Sequence, residues 1–504
     1  MNFLDSAIGF FSPEAAVRRA MFRHELEALK RHGYDAGDHG RLNANWGAII
    51  ESAEMTDRGS RDTIRGRARD LERNSDMLNG VLSAFVRNVV GQGFTLQAKT
   101  DDEALNEQIE KLWKEWCKAK NCDVTGQQSF NQLLRMAVRR KKVDGGILFK
   151  KCYTNDGIIP FQLQAIEVDE LSLSWSQPKN KKHKVAGGVE YNEFNRPVGY
   201  WITQYSVDGV EVGTPTYYDA KDIIFLFTKR RPSQVREVSD LTPTLSRIRD
   251  TNEFITAVSV KERIAACLSV FIKKAVPVTG LGRSGATVNS ALKSYEGKRL
   301  SPGMIAEMNA GDEIQVVDPK GAGGDAAQFL KMQQRLIGAG QGLSYETTSR
   351  DMSETNYSSA RQSGIEDDMT YAEEVEILKE NFMDSVYESF IASALLSGAL
   401  KVKGYKWEDR EKLTAHKWAA SPKRWIDPLK EANANRVALE SGQKTFAQIA
   451  AENGRDWREQ INEMAAAQEY ATAKGINLVQ GQTAPAPVTG AESVTDDGDQ
   501  SGTA

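Results

Sequence analysis

Leu300-Ser-Pro-Gly303, then Met304-Ile-Ala-Glu-Met-Asn-Ala-Gly-Asp-Glu-Ile-Gln-Val-Val-Asp-Pro319, a glycine patch, an apolar periodic run, Gly338-Ala-Gly-Gln-Gly342 and finally Asn356-Tyr-Ser-Ser-Ala-Arg361 form the stretch that decides the fold. In order these read as a turn, two short strand-like runs, a flexible break, a helix, a second break with a polar loop, and a new helix opening on small polar residues. A β-prone insertion therefore lies between two helices, and a polar loop links the second of them to a third.

On the N-terminal side, Ile64, Ala68, Leu71, Leu78, Leu82, Phe85 and Val89 keep helical spacing from Asp57 to Val90, with Arg58, Arg61, Arg65 and Arg69 as an opposite stripe and Gly91-Gln-Gly93 as the stop. Another helix carries Leu105, Ile109, Leu112, Trp113 and Trp116 on one face, and a third opens on a capping box of Ser129 and Gln132. The signal then turns to short β-prone runs at Ile147–Phe149, Phe161–Gln164, Val185–Tyr191, Val198–Tyr205 and Ile223–Phe227, split by turns such as Asn155-Asp-Gly157 and Asn195-Arg-Pro197. Helical period returns after Pro243 and runs to about Ala266. On the C-terminal side a long helix is expected from Ser358 to Leu396, with Ile365, Met369, Ala372, Leu378, Phe382, Val386 and Phe390 on one face. Helical pieces follow at Leu429–Glu440, Thr445–Glu452 and Asp456–Lys474, and a Pro/Ala/Gly/Thr tail from Gln480 has nothing to bury.

The chain's 504 residues exceed one ordinary core, so about two to four structural units are expected. With 27% charged and 40% hydrophobic residues the composition is globular. Apolar runs such as Ile223–Phe227 are too short to span a bilayer, and Asp5 interrupts the N-terminal apolar stretch, so a soluble, unexported protein is expected. Four cysteines without dense spacing argue against a disulfide framework. Sixty-five Lys and Arg nearly balance 69 Asp and Glu, and the net charge of −4 resides in the tail, at Glu492, Asp496, Asp497 and Asp499. A protein that grips DNA statically carries a strong basic excess; a balanced surface suits one past which DNA slides.

Catalytic signatures are weak. Gly280-Leu-Gly-Arg-Ser-Gly-Ala-Thr287 has the glycines and hydroxyl of a phosphate loop, but Ala286 stands where the lysine is needed. Gly338–Gly342 follows a helix where a dinucleotide fingerprint requires a strand, which makes it a hinge or helix terminator. Cys117 and Cys122 have no second pair at zinc-finger distance, and Cys117 is expected beside Trp113 and Trp116. Glu366, Asp367, Asp368, Glu373, Glu374 and Glu376 could in principle serve a metal-dependent nuclease but read first as a solvated helix face. Arg139–Lys142, Lys179–Lys184 and Lys229–Arg231 read as solvated loops or inter-subunit partners, the second as a hairpin tip, and no aromatic stacking pattern accompanies them in sequence.

Four ordered blocks resemble the lambda-like family of tailed-bacteriophage portal proteins: Arg65–Asn74 with Gly80–Phe94; Gln234-Val-Arg-Glu-Val-Ser-Asp-Leu-Thr-Pro243; Leu300–Arg361; and Trp418–Pro422 with Trp425, Asp427-Pro428 and Lys430-Glu-Ala432. The resemblance implies an α+β portal fold assembled as a ring. A wing of helices and antiparallel strands would span 57–239, the β-rich part being 146–228, after a partly disordered segment 1–56. Stem helices at 240–267 and 326–342 would flank a small α/β clip at 268–325. A tunnel loop and long helix at 343–427 would complete the wing, followed by a helical crown at 428–476 and a disordered acidic tail at 477–504.

The same resemblance implies a structural protein, not an enzyme, with no cofactor and no metal. Twelve identical subunits would form the channel for double-stranded DNA at one capsid vertex of the virion, assembled in the host cytoplasm, with partners in the terminase large subunit, the major capsid or scaffold protein and head-tail connector proteins, and none in a membrane. DNA would be held non-specifically. Arg350, Glu354, Asn356 and Arg361 are the tunnel candidates, with helix capping as the competing role for Asn356, and Lys273, Lys274, Arg283, Lys293, Lys298 and Arg299 are the clip candidates for docking terminase or connector. The alternatives are another head-tail connector ring, whose chains are generally much shorter, and a metal-dependent DNA-processing enzyme, which needs carboxylates converging in space.

Overall fold

The structure is a computed structural model that describes residues 47–476, apart from 207, 210, 267–269, 275–311, 317–322, 403–409 and 421–427, and a few single positions before residue 47. Two units separate, Met1–Gly59 and Ser60–Ala504. In the first, the Ser52 hydroxyl caps a short helix, Ala53–Asp57. The tail from 477, and nearly all of the segment 1–46, lie outside the described residues.

The second unit opens with α1 (Arg61–Asn74) and α2 (Asp76–Val89). These are two helices where one continuous period was expected. Ser75 between them is extended (φ −115°, ψ 117°), and its hydroxyl accepts from the Leu78 amide at 3.3 Å. A serine offers the backbone this alternative partner, so it opens a new helix instead of continuing the old one. Next come β1 (Thr95–Ala98), α3 (Glu103–Trp116) and α4 (Phe130–Asp144). Leu105, Ile109, Trp113 and Trp116 are buried as their spacing predicts, and the amide of Ser129 donates to Gln132 Oε1 at 2.8 Å in the expected capping box.

Strands β2 (Gly146–Cys152), β3 (Gln162–Ile166), β4 (Lys184–Ala186), β5 (Val189–Tyr191), β6 (Pro197–Tyr205), β7 (Glu211–Asp219) and β8 (Ile223–Phe227) build two antiparallel sheets, ordered β3-β2-β8 and β4-β5-β6-β7. The run Val185–Tyr191 is a hairpin and not one strand, because Gly187 and Gly188 both take positive φ, 56° and 80°, and turn the chain between β4 and β5. Two helices follow, α5 (Leu245–Ala266) and, after the antiparallel pair β9 (Val270–Lys274) and β10 (Asp312–Val316), α6 (Gly323–Gln341). They lie side by side: Phe254 meets Phe329 at 4.7 Å, and Arg247 donates to Gln333 at 2.9 Å.

A one-turn helix α7 (Tyr345–Ser349) leads to α8 (Tyr357–Leu378), which continues through a π turn, Lys379–Met383, into α9 (Asp384–Leu396). The long helix is therefore present, but its apolar face is only half as expected. Leu378, Phe382, Val386 and Phe390 are buried, whereas Ile365 and Met369 are 43% and 64% exposed. Stepping back from Leu378 by helical period leads to Glu374, Tyr371 and Asp367, so the inward face of the first half carries two carboxylates. Strand β11 (His416–Ala419) pairs with β1, Leu96 opposite Trp418, and ties the segment after α9 to the segment after α2. Last come α10 (Pro428–Glu440), α11 (Phe446–Glu452) and α12 (Trp457–Ala473).

The main core lies where α2, α3 and α4 meet β2, β3, β8 and α9. Its aromatic centre packs Trp113 on Trp116 (4.9 Å), Trp116 on Phe161 (5.5 Å) and Phe149 on Phe382 (4.4 Å). Trp116 is fully buried and its indole donates to the Phe161 carbonyl at 2.8 Å, so truncation to Ala costs about 3–5 kcal/mol. Cys117 is half-buried against this core, as its place beside the tryptophans predicted. A second core gathers Leu71, Leu82, Leu241, Leu245, Ile248 and Ile337 and seats the roots of α5 and α6 on α1 and α2. These features make an α+β protein of helices packed on antiparallel sheets. Among the described residues no helix is long and apolar enough to cross a membrane.

Candidate functional site

The loop between α6 and α8 is built by glycine and short polar side chains. Gly342 ends α6 at φ +69°, and the chain folds back so that the Leu343 amide donates to the Gly338 carbonyl at 2.8 Å. A Cβ on Gly338 would stand 2.7 Å from both Leu343 O and Thr348 Oγ1, so only glycine admits this close return. Gly338–Gly342 is thus helix end and terminator in one. The Ser344 hydroxyl caps α7, and Arg350 closes it in the left-handed region at φ 59°. Asp351 then accepts from the Ser353 amide (3.0 Å) and the Tyr345 hydroxyl (3.1 Å); hydrogen bonds from Ser353, side chain and backbone, and from Tyr345 hold its carboxyl below the usual range.

Both neighbouring helices grip this loop. From α8, Asp367 accepts from the Ser344 amide (2.6 Å), the Ser344 hydroxyl (2.8 Å) and the Thr347 hydroxyl, while Thr370 Oγ1 donates to Gly342 O at 2.6 Å. From α6, Lys331 pairs with Glu354, and Lys331 and Arg335 stand 5.5 and 5.3 Å from the Tyr345 ring centroid. A cleft of about 400 Å³ opens between Ala339, Gly342, Gln362 and Glu366.

The four tunnel candidates singled out in the sequence, three on the loop and Arg361 in α8, divide in two. Arg350 and Arg361 are exposed and make no ion pair among the described residues, which leaves two guanidinium groups free for an anion. Glu354 is tied to Lys331. Asn356 caps α8, its Oδ1 accepting from the Ser359 amide at 2.9 Å while Ser359 Oγ accepts from its own amide at 3.1 Å. Sequence reasoning missed Lys331 and Arg335, and it read Asp367 as part of a solvated acidic face where the structure makes it the anchor of the loop. The i, i+4 spacing of the first two on α6 was the available signal.

Two further readings change. Arg61 and Arg65 of the expected exposed stripe are buried; Arg65 pairs with Glu237 (3.0 Å) and Asp169 (3.1 Å), and Arg69 with Asp144 (2.7 Å). Arg139–Lys142 is no solvated loop but the end of α4, where Arg139 and Arg140 share Glu72 and Lys141 and Lys142 share Glu374 and Asp240. The block Gln234–Pro243 supplies that network: Arg236 is fully buried, donates to Glu237 at 2.8 and 3.0 Å, and reaches the carbonyls of Gly187 and Val168. The acidic run is accordingly not one solvated face, since Asp367 and Glu374 are spent on internal partners. Among the described residues no three His, Cys, Asp or Glu side chains converge on a metal position. Of the clip candidates, Lys273 and Lys274 lie on β9 in register with Glu313 and Asp312. Arg283, Lys293, Lys298 and Arg299, and the glycine-rich segment 280–287, lie outside the described residues.

Residues 39–374 match the family model described as phage portal protein, lambda family. A probable portal protein of Halomonas phage phiHAP-1 is 24% identical over 439 residues, covering 84% of each chain. The portal protein of Escherichia phage N15 is 21% identical, covering 88% of this chain and 91% of its own, and portal protein B of Escherichia phage lambda is 21% identical, covering 85% and 87%. Among solved structures, a chain from the neck of an empty gene transfer agent particle covers 77% of this chain at 11% identity and a TM-score of 0.42.

Proposed function

The chain belongs to the lambda family of phage portal proteins, and on that premise we propose that it is a subunit of a twelve-membered ring at one capsid vertex through which double-stranded DNA enters during packaging and leaves on ejection. In this reading residues 60–239 and 357–420 form the wing, α5 and α6 the stem, the insertion around β9 and β10 the clip, and α10–α12 the crown. The observation that carries it is the loop 343–356, anchored at both ends by α6 and α8, with Arg350 on it and Arg361 on the helix α8 that follows, neither with a carboxylate partner among the described residues. Two cations per subunit, repeated around a ring, would touch phosphates at many points, each contact weak enough to break as the duplex slides.

The terminase large subunit and the head-tail connector would dock on the clip, and capsid or scaffold protein on the wing. The protein would then serve as channel and scaffold, in the host cytoplasm during assembly and afterwards in the virion, with packaging energy supplied by the terminase. Negative-stain electron microscopy of the purified protein, beside its mass in solution, tests this. Rings with a central channel and a mass of about twelve subunits are expected for a closed assembly of heterologous contacts. A monomer that cleaves DNA with added Mg²⁺ overturns the reading.

A further inference from the structure

Among the described residues, most clustered basic side chains of this unit have carboxylate partners. Arg65, Arg69, Arg139, Arg140, Lys141, Lys142, Arg230 and Arg236 all meet carboxylates. Lys179, Lys181, Lys182 and Lys184 are exposed and form no ion pair among the described residues. They lie on the turn that leads into β4 and on its first residue, where the Lys182 amide donates to Asn180 Oδ1 at 3.1 Å and the His183 amide to Asn180 O at 2.9 Å.

The fold supplies what the sequence did not display, an aromatic cluster beside these lysines. Trp175 packs on Trp201 at 4.8 Å, Trp201 on Tyr217 at 5.3 Å, and the Lys179 ammonium sits 4.1 Å from the centre of the Tyr217 ring. All three rings are half-buried and so still reach solvent. One buried carboxylate fixes the arrangement. Glu190 is fully buried and accepts from the amides of Lys179 (2.8 Å) and Asn180 (3.3 Å) and from the Trp201 indole (3.2 Å), with His183 Nδ1 at 2.8 Å. Burying an ionised carboxylate is costly unless such donors satisfy it. Here it holds the backbone of the turn and leaves the ammonium groups outside.

We propose that this turn and the aromatic cluster beneath it form a nucleic-acid contact separate from the loop 343–356, with Lys179, Lys181, Lys182 and Lys184 on backbone phosphates and Trp175, Trp201 and Tyr217 as a surface for an exposed base. Free ammonium groups interleaved with aromatic rings suit a phosphodiester strand, because the cations take its phosphates and the rings any unstacked base. The contact requires no ring, so it goes beyond the channel reading and stands or falls separately from it.

The test is binding of a fluorescein-labelled 20-mer oligo(dT), and of a 20-base-pair duplex, to the full chain across a salt series. For K181Q/K182Q/K184Q an affinity loss of roughly tenfold or more is expected, with the slope of log K against log salt shallower by about 2 for oligo(dT), near 0.7 for each lost contact. W175F weakens oligo(dT) more than duplex if the rings take a base, and a variant that weakens neither removes them from the site. The proposal is overturned if the triple variant keeps the wild-type slope. It is equally overturned if poly-glutamate of equal charge displaces oligo(dT) as well as unlabelled DNA does, which would make the patch a dock for an acidic protein.

Discussion

Asp367 on α8 accepts hydrogen bonds from both the amide and the hydroxyl of Ser344, at 2.6 and 2.8 Å, and so fixes the start of the loop to a helix that begins only after the loop has ended. The carboxylate is 4% exposed, and bonds to a charged buried acceptor contribute more than neutral ones. Asp367→Ala is expected to lower stability by about 2–3 kcal/mol. Amide exchange in residues 343–350 should quicken beyond the global change. A denaturant midpoint and loop exchange both equal to wild type would show that the anchor is idle.

Arg350 on the loop and Arg361 in the first turns of α8 are exposed and form no ion pair among the described residues, whereas Asn356 serves the backbone of α8. Arg350→Ala with Arg361→Ala should leave assembly intact and depress DNA packaging in an in vitro terminase reaction. Asn356→Ala should cost about 1 kcal/mol in thermal stability, as loss of an N-cap does, and spare packaging once the protein is folded. Packaging unaffected by the arginine pair but abolished by Asn356→Ala would reverse these roles.

Glycines in the same region separate by surroundings. A Cβ on Gly338 would lie 2.7 Å from Leu343 O and Thr348 Oγ1, while one on Gly364 in α8 meets nothing within 4 Å. Gly338→Ala must therefore push the loop off its helix and destabilise. Gly364→Ala is expected to stabilise by about 0.5–1 kcal/mol, since only the entropy of the unfolded chain and helix propensity change. Thermal melts of the two variants should move in opposite directions; a shift in the same direction would contradict the close return at Gly338.

The sequence disclosed elements whose cause is local. The periodicity around Ile109 and Trp113, the capping box at Ser129, the helical piece at Thr445–Glu452, and the helices on either side of the β9–β10 insertion are all visible in runs of ten to twenty residues. It concealed what depends on distant partners. Strand β1 exists because Leu96 meets Trp418, and neither run signals a strand alone. Lys141 and Lys142 read as solvated because nothing nearby in sequence identifies Glu374 and Asp240. At the loop, the residue types were legible and their roles were not: a capping asparagine and a phosphate-binding one look alike until the Ser359 amide is located.

The Glu374 carboxylate meets Lys141 Nζ at 2.8 Å and also pairs with Lys142, and this triad binds α8 to the end of α4. Burial pushes the Glu374 carboxyl up, but the two ammonium groups outweigh it and hold the group below its ordinary value. A carboxyl lowered in the folded state contributes stability that is complete above the unfolded value of about 4.3 and is lost as pH falls through the folded value. Wild-type stability should therefore drop on acidification from about pH 5 to pH 3, and Glu374→Gln should flatten that limb. Near pH 7 Glu374→Ala leaves two buried ammonium groups short of a partner and is expected to cost about 3–5 kcal/mol. Urea midpoints of wild type and Glu374→Gln between pH 3 and 7 provide the measurement. A constant difference between them across that range would mean the carboxylate's charge takes no part in joining α8 to α4.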